Sequence, residues 1–149
     1  MMTAWWRLRD KKNKEPIHLE YAMSLRNLLI VNAFLATFHG LGFLLIPTTL
    51  LGLYQIEAGT GAQLMGQLFG AELIVVAVIT WLGRNLTDAP ALRAIVLGNL
   101  LADIAGTVVS IKAVLSGAMG PAGWLVVAIY GLLAIGYLAV QLRPRVVAA

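Results

Sequence analysis

The chain has 149 residues, 60% of them hydrophobic and only 12% charged, where an ordinary soluble domain carries about 25% charged residues. It contains no cysteine, which excludes disulfides, thiolate metal sites, cysteine-based catalysis and covalently attached haem. The net charge of +4 does not mark a nucleic-acid binder, because the 11 basic residues are placed as membrane topology requires.

Residues 1–24 open the chain as a basic and aromatic arm. Trp5 and Trp6 stand beside Arg7, Arg9, Lys11, Lys12 and Lys14. Indole rings favour the headgroup level and basic groups favour anionic lipid, so a membrane-surface segment is expected; a docking arm for a partner protein is the sharper reading. Pro16 suits the first turn of a helix over 17–46, where its missing N–H costs nothing. The first apolar run, 25–46, begins too late and is too long for a cleavable signal peptide.

Pro47 stops that helix. The connection 47–61 has no Lys or Arg, and its Leu50-Leu51-Gly52-Leu53-Tyr54 stretch is too apolar for a solvated loop. It is expected to lie in the outer membrane interface. Gly59-Thr60-Gly61 turns the chain into a second run, 62–83. Arg84 and Arg93 flank the next connection, Asp88 is placed to cap the third helix, and Pro90 fits its first turn. The third run is 94–115, Gly117, Gly120, Pro121 and Gly123 form a tight turn, and the fourth run is 123–142. Pro144 limits it, and Arg143 and Arg145 stand in a tail of residues 143–149.

About 20 apolar residues in a helix cross a ~30 Å hydrocarbon core, so each run is long enough to span a bilayer. The predicted fold is all-α: an integral membrane four-helix transmembrane bundle over 25–142, with short connections making sequential helices antiparallel neighbours. Basic residues gather before the first span, around the second connection and after the last span. That pattern predicts both termini on the cytoplasmic side.

Polar residues within the spans fall at helical spacing. Asn32 and His39 share a face of the first helix, Glu72 lies near the middle of the second, and Asn99, Asp103, Thr107 and Ser110 form a stripe on the third. Tyr130, Tyr137 and Gln141 follow on the fourth. Such residues are costly in lipid and are expected to face the interior. Glu72 and Asp103 sit about halfway along antiparallel helices, at a depth where they could approach each other, and the sequence leaves open whether they meet. They would make a proton-handling or cation site, or else glue helices together with Asn32, Asn99 or a tyrosine hydroxyl as partner. His39, beside Gly40 and Gly42, reads first as a hydrogen-bonded core histidine and second as a pigment or haem ligand. Lys112 is expected to snorkel to the outer headgroups or pair with Glu57. Ala62, Gly66, Gly70 and Ala77 line the side of the second helix away from Glu72; Gly66 and Gly70 form a GxxxG step suited to close helix packing within the chain or with another subunit.

Pro47 with Leu50-Leu51-Gly52-Leu53-Tyr54, Gly70-Ala71-Glu72-Leu73, Trp81-Leu82-Gly83-Arg84, Ala91-Leu92-Arg93-Ala94-Ile95, Ala102-Asp103-Ile104-Ala105-Gly106 and Gly123-Trp124 recur in one order. In that order the chain resembles small bacterial four-helix membrane proteins, over about 25–142, and the Gly-x-Glu-Leu element resembles DoxX-like proteins. The resemblance implies the fold, marks Glu72 and Asp103 as parts of its pattern, and implies no activity.

No nucleophile–base motif, HExxH, phosphate loop or dinucleotide fingerprint is present, so an enzyme is not expected. The leading expectation is a non-catalytic accessory or structural subunit of a larger membrane complex, with membrane lipid and other integral membrane subunits as partners and no nucleic acid. A second is binding of a small hydrophobic, quinone-like molecule, or proton handling, through Glu72 and Asp103. A third is pigment or haem binding at His39; the sequence itself requires no cofactor.

Overall fold

The structure is a computed structural model that describes residues 4–142, with side chains from Leu25 onward. Five helices follow one another: α1 Ala4–Leu45, α2 Pro47–Leu53, α3 Thr60–Gly83, α4 Ala89–Leu115 and α5 Gly123–Leu142. Four of them, α1 from Leu25, α3, α4 and α5, are long and apolar enough to cross a membrane. Large apolar side chains such as Phe34, Phe38, Leu68, Leu101, Leu132 and Ile135 are exposed on the outside of the bundle. Water would not tolerate so continuous an apolar surface, whereas lipid does. The chain is a multi-pass membrane protein.

α1 begins well before the expected residue 17 and carries Pro16 inside it. Arg, Leu, Lys and Glu before the proline are strong helix formers, which offsets the one hydrogen bond that proline removes. The side chains of Trp5, Trp6, Arg7, Arg9, Lys11, Lys12 and Lys14 lie outside the described residues, as does the tail 143–149.

Pro47 does more than stop α1. It opens α2, at whose first turn its missing N–H costs nothing. The apolar stretch 50–54 belongs to this short helix and its end, and Leu51 and Tyr54 are buried and pack with Phe43. Asp88 caps α4, accepting a 2.8 Å hydrogen bond from the Ala91 N–H. Two residues past the end of α4 stands Gly117, whose φ of +76° suits a residue without a Cβ and whose N–H donates to the Val114 carbonyl. The Tyr54 carbonyl accepts from the Gly120 N–H at 2.7 Å, tying the α2–α3 connection to the α4–α5 turn. This is the α2 end of the bundle; the other, terminal end holds the start of the α1 span, the α3–α4 connection and the end of α5.

The helices pack as two antiparallel pairs, α1 with α3 and α4 with α5. The pairs join where α1 meets α5 and α3 meets α4. The α1–α3 contact is close because Gly40 and Gly70 face each other: a Cβ on Gly70 would lie 2.8 Å from the Gly40 carbonyl oxygen. Gly66 packs under Phe43 in the same seam. Small residues allow backbones to approach in lipid, where no hydrophobic force between helices exists. At the terminal end of α3, Arg84 lies 3.6 Å over the Trp81 ring and donates to the Trp81 carbonyl. This cation–π pair suits a membrane-interface anchor.

Candidate functional site in the bundle interior

Two apolar clusters fill the interior. Leu25, Leu29, Val96, Leu100, Leu133, Tyr137 and Val140 form the one at the terminal end. Phe43, Leu51 and Tyr54 form the one at the α2 end. The polar residues lie between them or border the first. On α1, His39 falls between Leu29 and Phe43; on α4, Asp103 follows Leu100; on α5, Tyr130 precedes Leu133.

At the edge of the first cluster, Asn32 Nδ2 donates to Asn99 Oδ1 and to the Tyr137 hydroxyl, each at 2.8 Å. Asn99 Nδ2 donates at 2.8 Å to the Ile95 carbonyl, which orients its oxygen toward Asn32. Asn32 and Tyr137 are 5% and 0% exposed. This network ties α1, α4 and α5 together, and neither acid takes part in it.

Asp103 is different. It is only 4% exposed, and its Oδ2 has no hydrogen-bond partner among the described residues. Tyr130 and Tyr137 both lie within electrostatic reach of its carboxyl. The Tyr130 ring packs flat on α4 at Gly106, one turn from Asp103, where any Cβ would come within 2.9 Å of it. Thr107 does not serve the carboxyl, because its hydroxyl donates back to the Asp103 backbone carbonyl at 2.7 Å. Ser110 is buried two turns further along the same face.

His39 is half-buried, with Nδ1 3.0 Å from the Leu35 carbonyl. A carbonyl can only accept, so Nδ1 is the donor in that contact. Because His39 follows Asn32 by seven residues, it shares the inward face two turns toward the α2 end. No group of three His, Cys, Asp or Glu that could hold a metal ion exists among the described residues.

Glu72 does not join this interior. It is exposed on α3, and it does not meet Asp103. The reason lies in the glycine seam: Gly66, Gly70 and Ala77 are buried toward α1, and Glu72, two residues on from Gly70, is turned by about 200° away from it. The small-residue stripe thus serves intrachain packing through Gly66 and Gly70. Among the described residues neither Glu72, Glu57 nor Lys112 forms an ion pair, so the expected Lys112–Glu57 pairing is not made.

Sequence reasoning missed Tyr54, which is 3% exposed and seals the α2 end. Its position in a connection hid it; the apolar character of residues 50–54 was the available signal. Tyr54 lies outside the spans, and burial pushes its phenol above the ordinary value of 10.0. A raised folded value means that the unfolded chain releases this proton first. Stability should hold below about pH 10 and fall as pH climbs from there toward the folded value. Denaturation in detergent at stepped pH values from about 9 to 11 should show that loss, and Tyr54→Phe should reduce it.

Comparison with protein-family models, curated proteins and solved structures finds no match to this chain, so the reading of the site rests on its own geometry.

Proposed function

We propose that the bundle binds a small hydrophobic, quinone-like molecule inside the membrane, with its polar end against Asp103. The observation that carries this reading is the buried Asp103 Oδ2 without a hydrogen-bond partner. Buried polar groups are almost always paired, because leaving one bare costs about 1–3 kcal/mol. An acid used only to glue helices would have taken a partner, yet Asn32 bonds Asn99 and Tyr137 and leaves it out. The hydroxyls of Tyr130 and Tyr137, within electrostatic reach of Asp103, supply donors for a carbonyl or hydroxyl head, and the apolar residues of the interior would meet its ring and tail. The role is binding, with no catalytic step. The placement of Arg and Lys supports an orientation with both termini cytoplasmic, and the resemblance to small bacterial four-helix membrane proteins favours a bacterial inner membrane.

The test is calorimetric titration of the protein in lipid nanodiscs with a short-tailed benzoquinone. Saturable binding is expected, weakened at least ~10-fold by Asp103→Leu, the equivalent of losing one buried hydrogen bond of about 1.4 kcal/mol. Absence of saturable binding, or binding indifferent to Asp103→Leu, would overturn the reading.

A subunit role in a larger membrane complex has one observation of its own in support. Glu72 is exposed on α3 twelve residues from Thr60 and eleven from Gly83, too deep for its short side chain to reach either headgroup layer. Carboxyls at that depth normally face protein.

A further inference from the structure

The geometry points to a second copy of this chain as the cover of the α3–α4 face, with Glu72 of each copy paired to Lys112 of the other. Both residues are exposed, and neither makes an ion pair or hydrogen bond among the described residues. Both also look the same way. Glu72 is turned by about 200° from Gly70, which touches α1, so it points away from α1. Lys112 follows Asp103 by nine residues, or about 900°, so it points away from the buried side of α4 that packs with α5. Since α3 and α4 adjoin, as do α1 and α5, the two directions lead out of the same side of the bundle.

Depth matches as well. Gly40 packs against Gly70 and Ile74, so position 40 is level with about 72. Asn32 bonds Asn99, and α1 and α4 run in the same direction, so position 40 is also level with about 107. Lys112 stands five residues beyond that level, or about 7.5 Å along the membrane normal. The two side chains together can span that offset. A two-fold axis along the membrane normal preserves depth, so both Glu72–Lys112 pairs form at once, as an isologous interface requires. Leu101, Val108 and Val109 are exposed on the same side of α4 and offer apolar contact beside the pairs. Ala94, Gly98, Ala102 and Ala105 are exposed on α4, and a Cβ on Gly98 would meet nothing within 4 Å. Such a surface lets a second helix come close. This interface rests on none of the argument for a ligand at Asp103.

The test is sedimentation equilibrium of the full chain in density-matched mild detergent. The wild type should be a dimer. Lys112→Glu and Glu72→Lys should each raise the dimer dissociation constant at least ~10-fold, because each leaves like charges opposed in a desolvated interface. The double exchange should restore dimerisation. If Glu72→Lys does not fold, Lys112→Glu, close to the membrane surface, and the isosteric Glu72→Gln carry the same expectation. A monomeric wild type, single variants that dimerise as the wild type does, or a double exchange no better than the singles would each overturn the proposal.

Discussion

Gly70→Ala is expected to destabilise the bundle by about 2–3 kcal/mol, and Gly70→Val by more, because the added atoms meet backbone. A Cβ at Gly70 would lie 2.8 Å from the Gly40 carbonyl oxygen and 3.0 Å from the Leu44 nitrogen. Neither is the end of a flexible side chain, so α1 and α3 would have to separate. That separation would spoil the longest seam in the molecule, including the packing of Gly66 under Phe43. Gly131→Ala on α5 is the control. A Cβ there meets nothing within 4 Å, and alanine is the better helix former, so stability should change by less than ~1 kcal/mol. Unfolding of both variants in mixed micelles of rising denaturing detergent, followed by far-ultraviolet circular dichroism, makes the comparison. Equal effects at the two positions would show that the Gly40–Gly70 approach does not hold the pair together.

The second large effect has the opposite sign. Asp103→Leu should stabilise the bundle by about 1–3 kcal/mol, the desolvation cost of a buried polar group that lacks a partner. Leucine has the same branched heavy-atom skeleton as aspartate and suits the apolar surroundings of Leu100 and Val96 on the same helix. Asp103→Asn keeps a polar group in place and should gain less. The same detergent titration reads both. A loss of stability on Asp103→Leu would mean that the carboxyl is already satisfied, and would remove the ground for a ligand there. A gain in stability paired with lost quinone binding would place Asp103 among residues kept for function at a cost to the fold.

The four spans were legible because each apolar run alone matches the thickness of a bilayer. Asp88 and Pro90 were legible as the start of α4 because capping depends on neighbours along the chain and on nothing else. The polar stripe Asn99, Asp103, Thr107 and Ser110 was likewise legible as one side of α4, since helical periodicity alone aligns it. The amide network among Asn32, Asn99 and Tyr137 was not, although all three residues were candidates. Which of several polar groups pair depends on the register between helices, here a contact between residues 105 positions apart.

Glu72 shows the limit most clearly. From sequence, it and Asp103 were two acids at mid-depth on antiparallel helices, and nothing distinguished them. In the structure Asp103 is buried with its Oδ2 lacking a hydrogen-bond partner among the described residues, and Glu72 faces out of the bundle. In a soluble protein the apolar side of a helix announces which way it faces. In a bilayer lipid is as apolar as the interior, and packing follows small residues instead. Length and composition therefore determine that α3 crosses the membrane, whereas only the close approach of Gly70 to Gly40 decides the rotation of α3, and with it the side on which Glu72 emerges.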